Sequence, residues 1–279
     1  MNGREDSWSL AAAESIWQRD QARINKVPLL VLLRIRNEEL ILEDTLDHLA
    51  GFADLICAYD DASTDATRAI LKAHEKVVMI VQNDEWQSSV DSRLLSETRH
   101  RGLLLQEARK RFDFAWCMCC DADERYVGPI REFVTAPPAA EVNAVRIRLF
   151  DAYMTESDDR AFEKGMQLLN FRRYFGPERR DILMLWKNRE EVKFVGLDAR
   201  EPIVADGVET DFYCQHYGKS LSYAHWEATC DYYVKHFPWD PYGQKWQARK
   251  GKALHEQSDF GTALHVWGSG LFDAAVKIY

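Results

Sequence analysis

Residues Cys117–Tyr126, CMCCDADERY, run from an apolar segment into three carboxylates, Asp121, Asp123 and Glu124. Like charges this close repel, and each carboxylate is better off hydrated or paired. The turn is therefore either solvated or built around a positive group. Working outward, FAWCMCC reads as a buried strand behind a long helix from about Ser89 to Arg111. Upstream, VPLLVLLRI (Val27–Ile35), ADLICAYD and VVMIVQN (Val77–Asn83) are further apolar runs of strand length, as strands covered on both faces require. NEELILEDTLDHLAGF and DATRAILKAHEK between them have helical spacing; Gly51 is placed to stop the first, and Ser63, Thr64 and Asp65 to cap the second. Strand–helix alternation of this kind predicts an α/β fold with a mostly parallel sheet flanked by helices, its ligand site outside the carboxyl ends of the strands.

The polar residues of this half sit at those ends. Arg34 and Arg36 follow the first strand, Asp60 and Asp61 the second, Asn83 and Asp84 the third, Asp121 and Asp123 the fourth. Two carboxylates at D-x-D spacing are hard oxygen ligands suited to Mg2+ or Mn2+ beside a substrate phosphate, although a solvated turn has the same spelling. The cysteines lack the paired spacing of a zinc site and read as strand core.

The chain has 279 residues, 46% apolar and 29% charged, with net charge −9. That is a folded composition, and its acidity argues against bulk nucleic-acid binding. No apolar run is long enough to span a bilayer, and the amino terminus is too acidic for a signal peptide. The six cysteines then read as reduced thiols, and the protein as cytoplasmic, with a peripheral seat at a membrane left open. Four regions are expected: a helical appendage over 1–26, a nucleotide-binding half over 27–135, an acceptor-side half over 136–219 and a helical region over 220–279.

NEE after strand one, DDASTD after strand two, TRHRGL in the long helix and CDADE after strand four resemble, in that order, the family 2 glycosyltransferases of the GT-A fold. The resemblance covers about residues 27–126 and fades to scattered matches between about 170 and 237. It implies a Rossmann-like GT-A sheet and a nucleotide-diphosphate sugar donor. The sugar would pass to a hydroxyl of a glycan, lipid-linked or protein acceptor, with inversion as the default. Carried across by residue, it implies nucleotide-sugar contacts at Arg34, Asn37, Asp60 (the nucleobase), Asp61, Arg99 and Asp121, with His100 standing where the family usually has Asn. It also implies Mn2+ or Mg2+ on Asp123 and Asp121, with His216 completing the metal shell. The segment FVGLDAREPIVADG resembles the family's G-x-x-H-E-P region. There Glu201 is expected as the base, Asp198 as the second candidate, and Arg200 replaces the usual His; a loop carboxylate paired with Arg200 is the alternative. The run RRYFGPERRDILMLWKN is either an acceptor rim or a solvated basic loop, and Lys219 is placed to meet a phosphate oxygen.

Two other readings stand beside this one. A non-catalytic nucleotide-sugar binding module would keep Asp60 and the D-x-D pair but lack a base. A D-x-D phosphatase normally has Thr or Val where this chain has Arg125, and it leaves DDASTD unexplained.

Overall fold

The structure, a computed structural model, describes residues 8–20, 26–136 and 141–278. Its strands are β1 (Glu14–Gln18), β2 (Val27–Ile35), β3 (Leu55–Asp61), β4 (Val77–Asn83), β5 (Phe114–Cys120), β6 (Glu124–Val127), β7 (Ala144–Tyr153), β8 (Tyr174–Lys187), β9 (Val208–His216), β10 (His265–Val266) and β11 (Val276–Ile278). The helices are α1 (Leu42–Ala50), α2 (Thr67–Ala73), α3 (Val90–Arg111), α4 (Ile130–Thr135), α5 (Tyr223–His236), α6 (Gln244–Gln247) and α7 (Ser269–Asp273). The strands form one sheet in the order β1-β4-β3-β2-β5-β8-β7-β9-β6, with β10 and β11 attached to β8.

Pairing of β4, β3, β2 and β5 is parallel, as the alternation predicts. The sheet as a whole is mixed rather than mostly parallel, because β8 runs antiparallel to both β5 and β7, and β6 antiparallel to β9. In the half after Ala144, β7 and β9 do pair in parallel, but the connection between them runs through β8 and loops rather than through a crossover helix.

Period-2 alternation sorts the first half into two cores. On β2, Leu29, Val31, Leu33 and Ile35 pack with Leu42, Leu46 and Leu49 of α1. Leu30 and Leu32 face the other way, onto Leu103, Leu104 and Ala108 of α3. Each such leucine, fully buried, contributes about 1.5–3 kcal/mol. All six cysteines are buried, and none is disulfide-bonded.

Two expectations at the chain ends change. The helix expected over the amino-terminal segment is the strand β1, paired antiparallel with β4 from Glu14↔Asn83 to Gln18↔Met79. Ser-Ile-Trp suits a pleated surface, and the ladder groups of β4 gain partners; residues 1–7 and 21–25 of that segment lie outside the described residues. The carboxyl-terminal region starts as helix in α5, then returns to the sheet through β10 and β11. Gly51 follows α1 but keeps ordinary helical geometry, φ −63°, rather than the left-handed stop expected of it.

Candidate active site

A cavity of about 540 Å3 opens at the carboxyl ends of β2 and β5, on the α3 face. Its lining includes Arg34, Arg36, Arg93, Arg101, Arg180 and Arg200 together with Glu38, Glu97, Asp121, Asp123, Glu124 and Asp198. Aromatic rings of Tyr232, Tyr233, Phe237 and Tyr242 close one side.

Strand parity decides on which side of the sheet each expected residue lies, and neither Asp60 nor Asp61 lines the cavity itself. Asp61 continues the face of Cys57 and Tyr59, so its carboxylate meets Arg93 at 2.9 Å and Arg34 at 3.2 Å. Asn83 Nδ2 donates to its other oxygen at 3.2 Å. Asp60 points to the opposite face, where Arg68 of α2 holds it at 2.7 Å; it does not line the cavity. Arg34 lies on the α3 face, bound to Glu97 at 2.7 Å and donating to His100 Nδ1 at 3.3 Å. Burial and the adjacent Arg34 push His100 well below the usual imidazole range, so it accepts that bond as a neutral ring.

Asn37 and Arg99 are spent elsewhere. Asn37, at φ 53°, accepts from the Thr64 amide at 2.7 Å and ties the β2 exit to the DDASTD loop. Arg99 turns away to Glu14 of β1, at 2.5 and 2.6 Å. The cavity face of α3 belongs instead to Arg93, Glu97 and Arg101, spaced four apart. That i, i+4 spacing was the available signal, since residues four apart share a helix face. Burial resists ionisation of Glu97, yet Arg34 and Arg101 hold its pKa down to about 2.

At the acidic turn, the Asp121 oxygens meet Arg101 at 3.2 Å and Arg200 at 2.5 Å. Arg200 also spans both oxygens of Glu124, at 2.7 and 2.8 Å. Glu124 is only 2% exposed and further accepts from the Asp121 amide at 2.9 Å and from Tyr126 Oη at 2.5 Å. Asp123 faces His216, Nε2 to Oδ2 3.3 Å, and Asp151 takes the other ring nitrogen at 2.6 Å. Burial disfavours a charged His216, but Asp123 and Asp151 outweigh it and lift its pKa to about 10. Gly218 leaves room for this pair, since a Cβ there would lie 2.6 Å from Asp123 Oδ2.

The two candidate bases separate. Glu201 does not line the cavity: Arg146 of β7 clasps it at 2.7 and 2.8 Å. Asp198 does line it, at φ 55°, with its amide donating to Leu94 O at 2.9 Å and its carboxylate accepting from Tyr242 Oη at 3.2 Å. Burial, then the charge of Glu97, raises its pKa. Lys219, expected near a phosphate, is committed to Asp259 at 2.6 Å and Asp151 at 3.1 Å. The basic run 172–180 is largely strand β8, and of it Arg180 reaches the cavity.

A divalent cation at this turn needs carboxylate oxygens free to turn toward it. Here Asp121 is bound by two guanidiniums, Glu124 by a third contact of the same kind, and Asp123 by an imidazolium. Among the described residues no group of three or more His, Cys, Asp or Glu side chains converges on one point. This arrangement does not fit Mn2+ or Mg2+.

No family model and no curated protein matches the chain. Among solved structures it is similar to glucosyl-3-phosphoglycerate synthase from Mycobacterium tuberculosis in complex with Mn2+, UDP and glucosyl-3-phosphoglycerate. Identity is 19% and the TM-score 0.29, over 44% of this chain and 43% of that one. The same enzyme in complex with UDP gives 18% identity and a TM-score of 0.30, over 50% and 52%. A further mycobacterial protein gives 17% and 0.30, over 52% and 51%. The chain thus spans about half the length of these proteins or less, and the likeness assigns no residue here.

Proposed function

We propose that this chain transfers a glycosyl group from a nucleotide-diphosphate sugar to an acceptor hydroxyl. One observation carries the reading: a carboxylate of raised pKa, Asp198, and a cluster of arginines line the same strand-end cavity. The order of NEE, DDASTD, TRHRGL and CDADE supports it independently.

In this reading Asp198 accepts the proton of the acceptor hydroxyl, as a general base with a pKa moved toward neutrality does. The acceptor oxygen bonds to the anomeric carbon while the bond to the diphosphate breaks, a single displacement with inversion. Developing negative charge on the diphosphate oxygens is stabilised by fixed guanidinium donors, which act best where water is excluded. The tyrosines of α5 and the segment after it present flat faces for a sugar ring. No step is assigned to Mn2+ or Mg2+, because Asp121 and Asp123 are committed to cations of the chain itself.

The test is a panel of nucleotide sugars with simple glycosides as acceptors. Transfer with at least one donor, lost in Asp198→Asn, is the expected result. Donor binding without hydrolysis or transfer would favour the binding module instead.

A further inference from the structure

The arginines at the acidic turn carry more than local charge balance. Asp121 has both oxygens ion-paired, one to Arg101 and one to Arg200, and Arg200 continues to both oxygens of Glu124. Arg101 is itself braced by Glu97 at 2.6 Å and is almost wholly buried, 4% exposed at the side chain. Neither guanidinium can be neutralised at working pH, and both are fixed by partners rather than free on the surface. A planar fork of N–H donors matches phosphate oxygens, and the two forks together bring the double positive charge that a divalent ion would bring to the same place. Arg200 also stands at the position where the resembled pattern has His. Arg36 and Arg180 line the same cavity and extend the cationic surface beyond the turn.

We propose that Arg101 and Arg200, locked onto Asp121, occupy the place of a divalent cation at this turn and receive the diphosphate of the donor. The chain then binds a nucleoside diphosphate without a metal ion. This rests on the nucleotide-sugar reading above and deepens it, naming the two guanidiniums that receive the leaving group and the ion whose place they take.

The experiment is nucleoside diphosphate binding to the full chain, by calorimetry and by shift in melting temperature. UDP, GDP, ADP and CDP are each measured in EDTA and then in Mn2+. Expected is binding by at least one nucleotide whose Kd in EDTA lies within about twofold of that in Mn2+. Arg200→Ala should weaken that binding about tenfold or more, the loss of one charge-assisted contact. Arg200→Lys, which keeps the charge but not the fork, should fall between. Binding that appears only with Mn2+ overturns the inference and leaves the glycosyltransferase reading standing. Metal-independent binding that survives Arg200→Ala at full strength in a folded variant also overturns it. No binding under either condition overturns both.

Discussion

Glu201 is clasped by Arg146, with its two carboxylate oxygens 2.7 and 2.8 Å from the two terminal guanidinium nitrogens, outside the cavity that its chain neighbour Arg200 lines. Adjacent residues in a loop need not share a destination, and here one side chain enters the site while the next braces β7. Glu201→Gln should therefore leave transfer within about twofold of wild type. It should cost no more than about 1 kcal/mol of stability, the scale of a partly exposed ion pair. Steady-state kinetics and urea unfolding check both figures, and a hundredfold fall in kcat with the fold intact would return the base to Glu201.

Asp198→Asn keeps the shape of the side chain and removes its basicity. Transfer should drop by about 10²–10⁴, the range for loss of a positioned general base, while nucleoside diphosphate binding stays within about threefold. Parallel loss of binding and turnover would mean that Asp198 holds the site together rather than taking a proton.

Glu14 on β1 is 2% exposed at the side chain and binds Arg99 and the Tyr59 hydroxyl. Burial alone would raise its pKa, but the bonds from Arg99 and Tyr59 outweigh it and leave the pKa below the ordinary 4.5. A depressed folded pKa means that the unfolded chain binds the proton first. The stabilisation is complete above about pH 4.5 and is lost as pH falls through the lower, folded value. Glu14→Gln should destabilise by roughly 3 kcal/mol near pH 7, the cost of breaking a buried pair. Its difference from wild type should shrink as pH falls from neutrality to below the ordinary 4.5, the direction set by that lowered pKa. Urea unfolding of both proteins across that range measures it; a difference that does not move with pH sinks the assignment.

Gly102 lies under the indole of Trp8, and a Cβ there would come 2.2 Å from Trp8 Nε1 and 2.8 Å from Cδ1. Gly102→Ala should destabilise by about 1–3 kcal/mol in the native background through overpacking. In a Trp8→Ala background the same change should stabilise by up to about 1 kcal/mol, because alanine is the better helix former. A double-mutant cycle in urea tests this reversal of sign; the same sign in both backgrounds would remove Trp8 from the account.

Much of the first half was legible because its signals are local. The apolar runs of β2 to β5 and the helical spacing of α1 and α3 predict a buried parallel core, and the cysteines of β5 pack where a strand interior puts them. Asp60 and Asp61 show where that legibility stops. Both end one strand, but alternation sends one to α2 and the other to α3, and only the second helps hold the cavity wall. Arg99 and Arg101 repeat the lesson with helical periodicity, two residues apart and on different faces. The second half carries no comparable signal, because β7, β8 and β9, in an antiparallel and a parallel pair, are set by long-range pairing rather than by crossover helices. The partnership of Asp198 with Tyr242, 44 residues apart, likewise depends on how the carboxyl-terminal segment folds back.

The pairing of β1 with β4 also has a bearing on solubility. Without those five residues, VVMIVQN of β4 would present a flat row of unpaired amides and carbonyls flanked by β-branched side chains, a template for a strand from another chain. β1 covers that row with a margin of five residues, and Arg19 just past its end ties the margin down by donating to Val77 O, Lys72 O and His74 O. A truncation that removes β1 is thus expected to self-associate before it unfolds, which makes the amino-terminal strand a guard against aggregation as well as a member of the sheet.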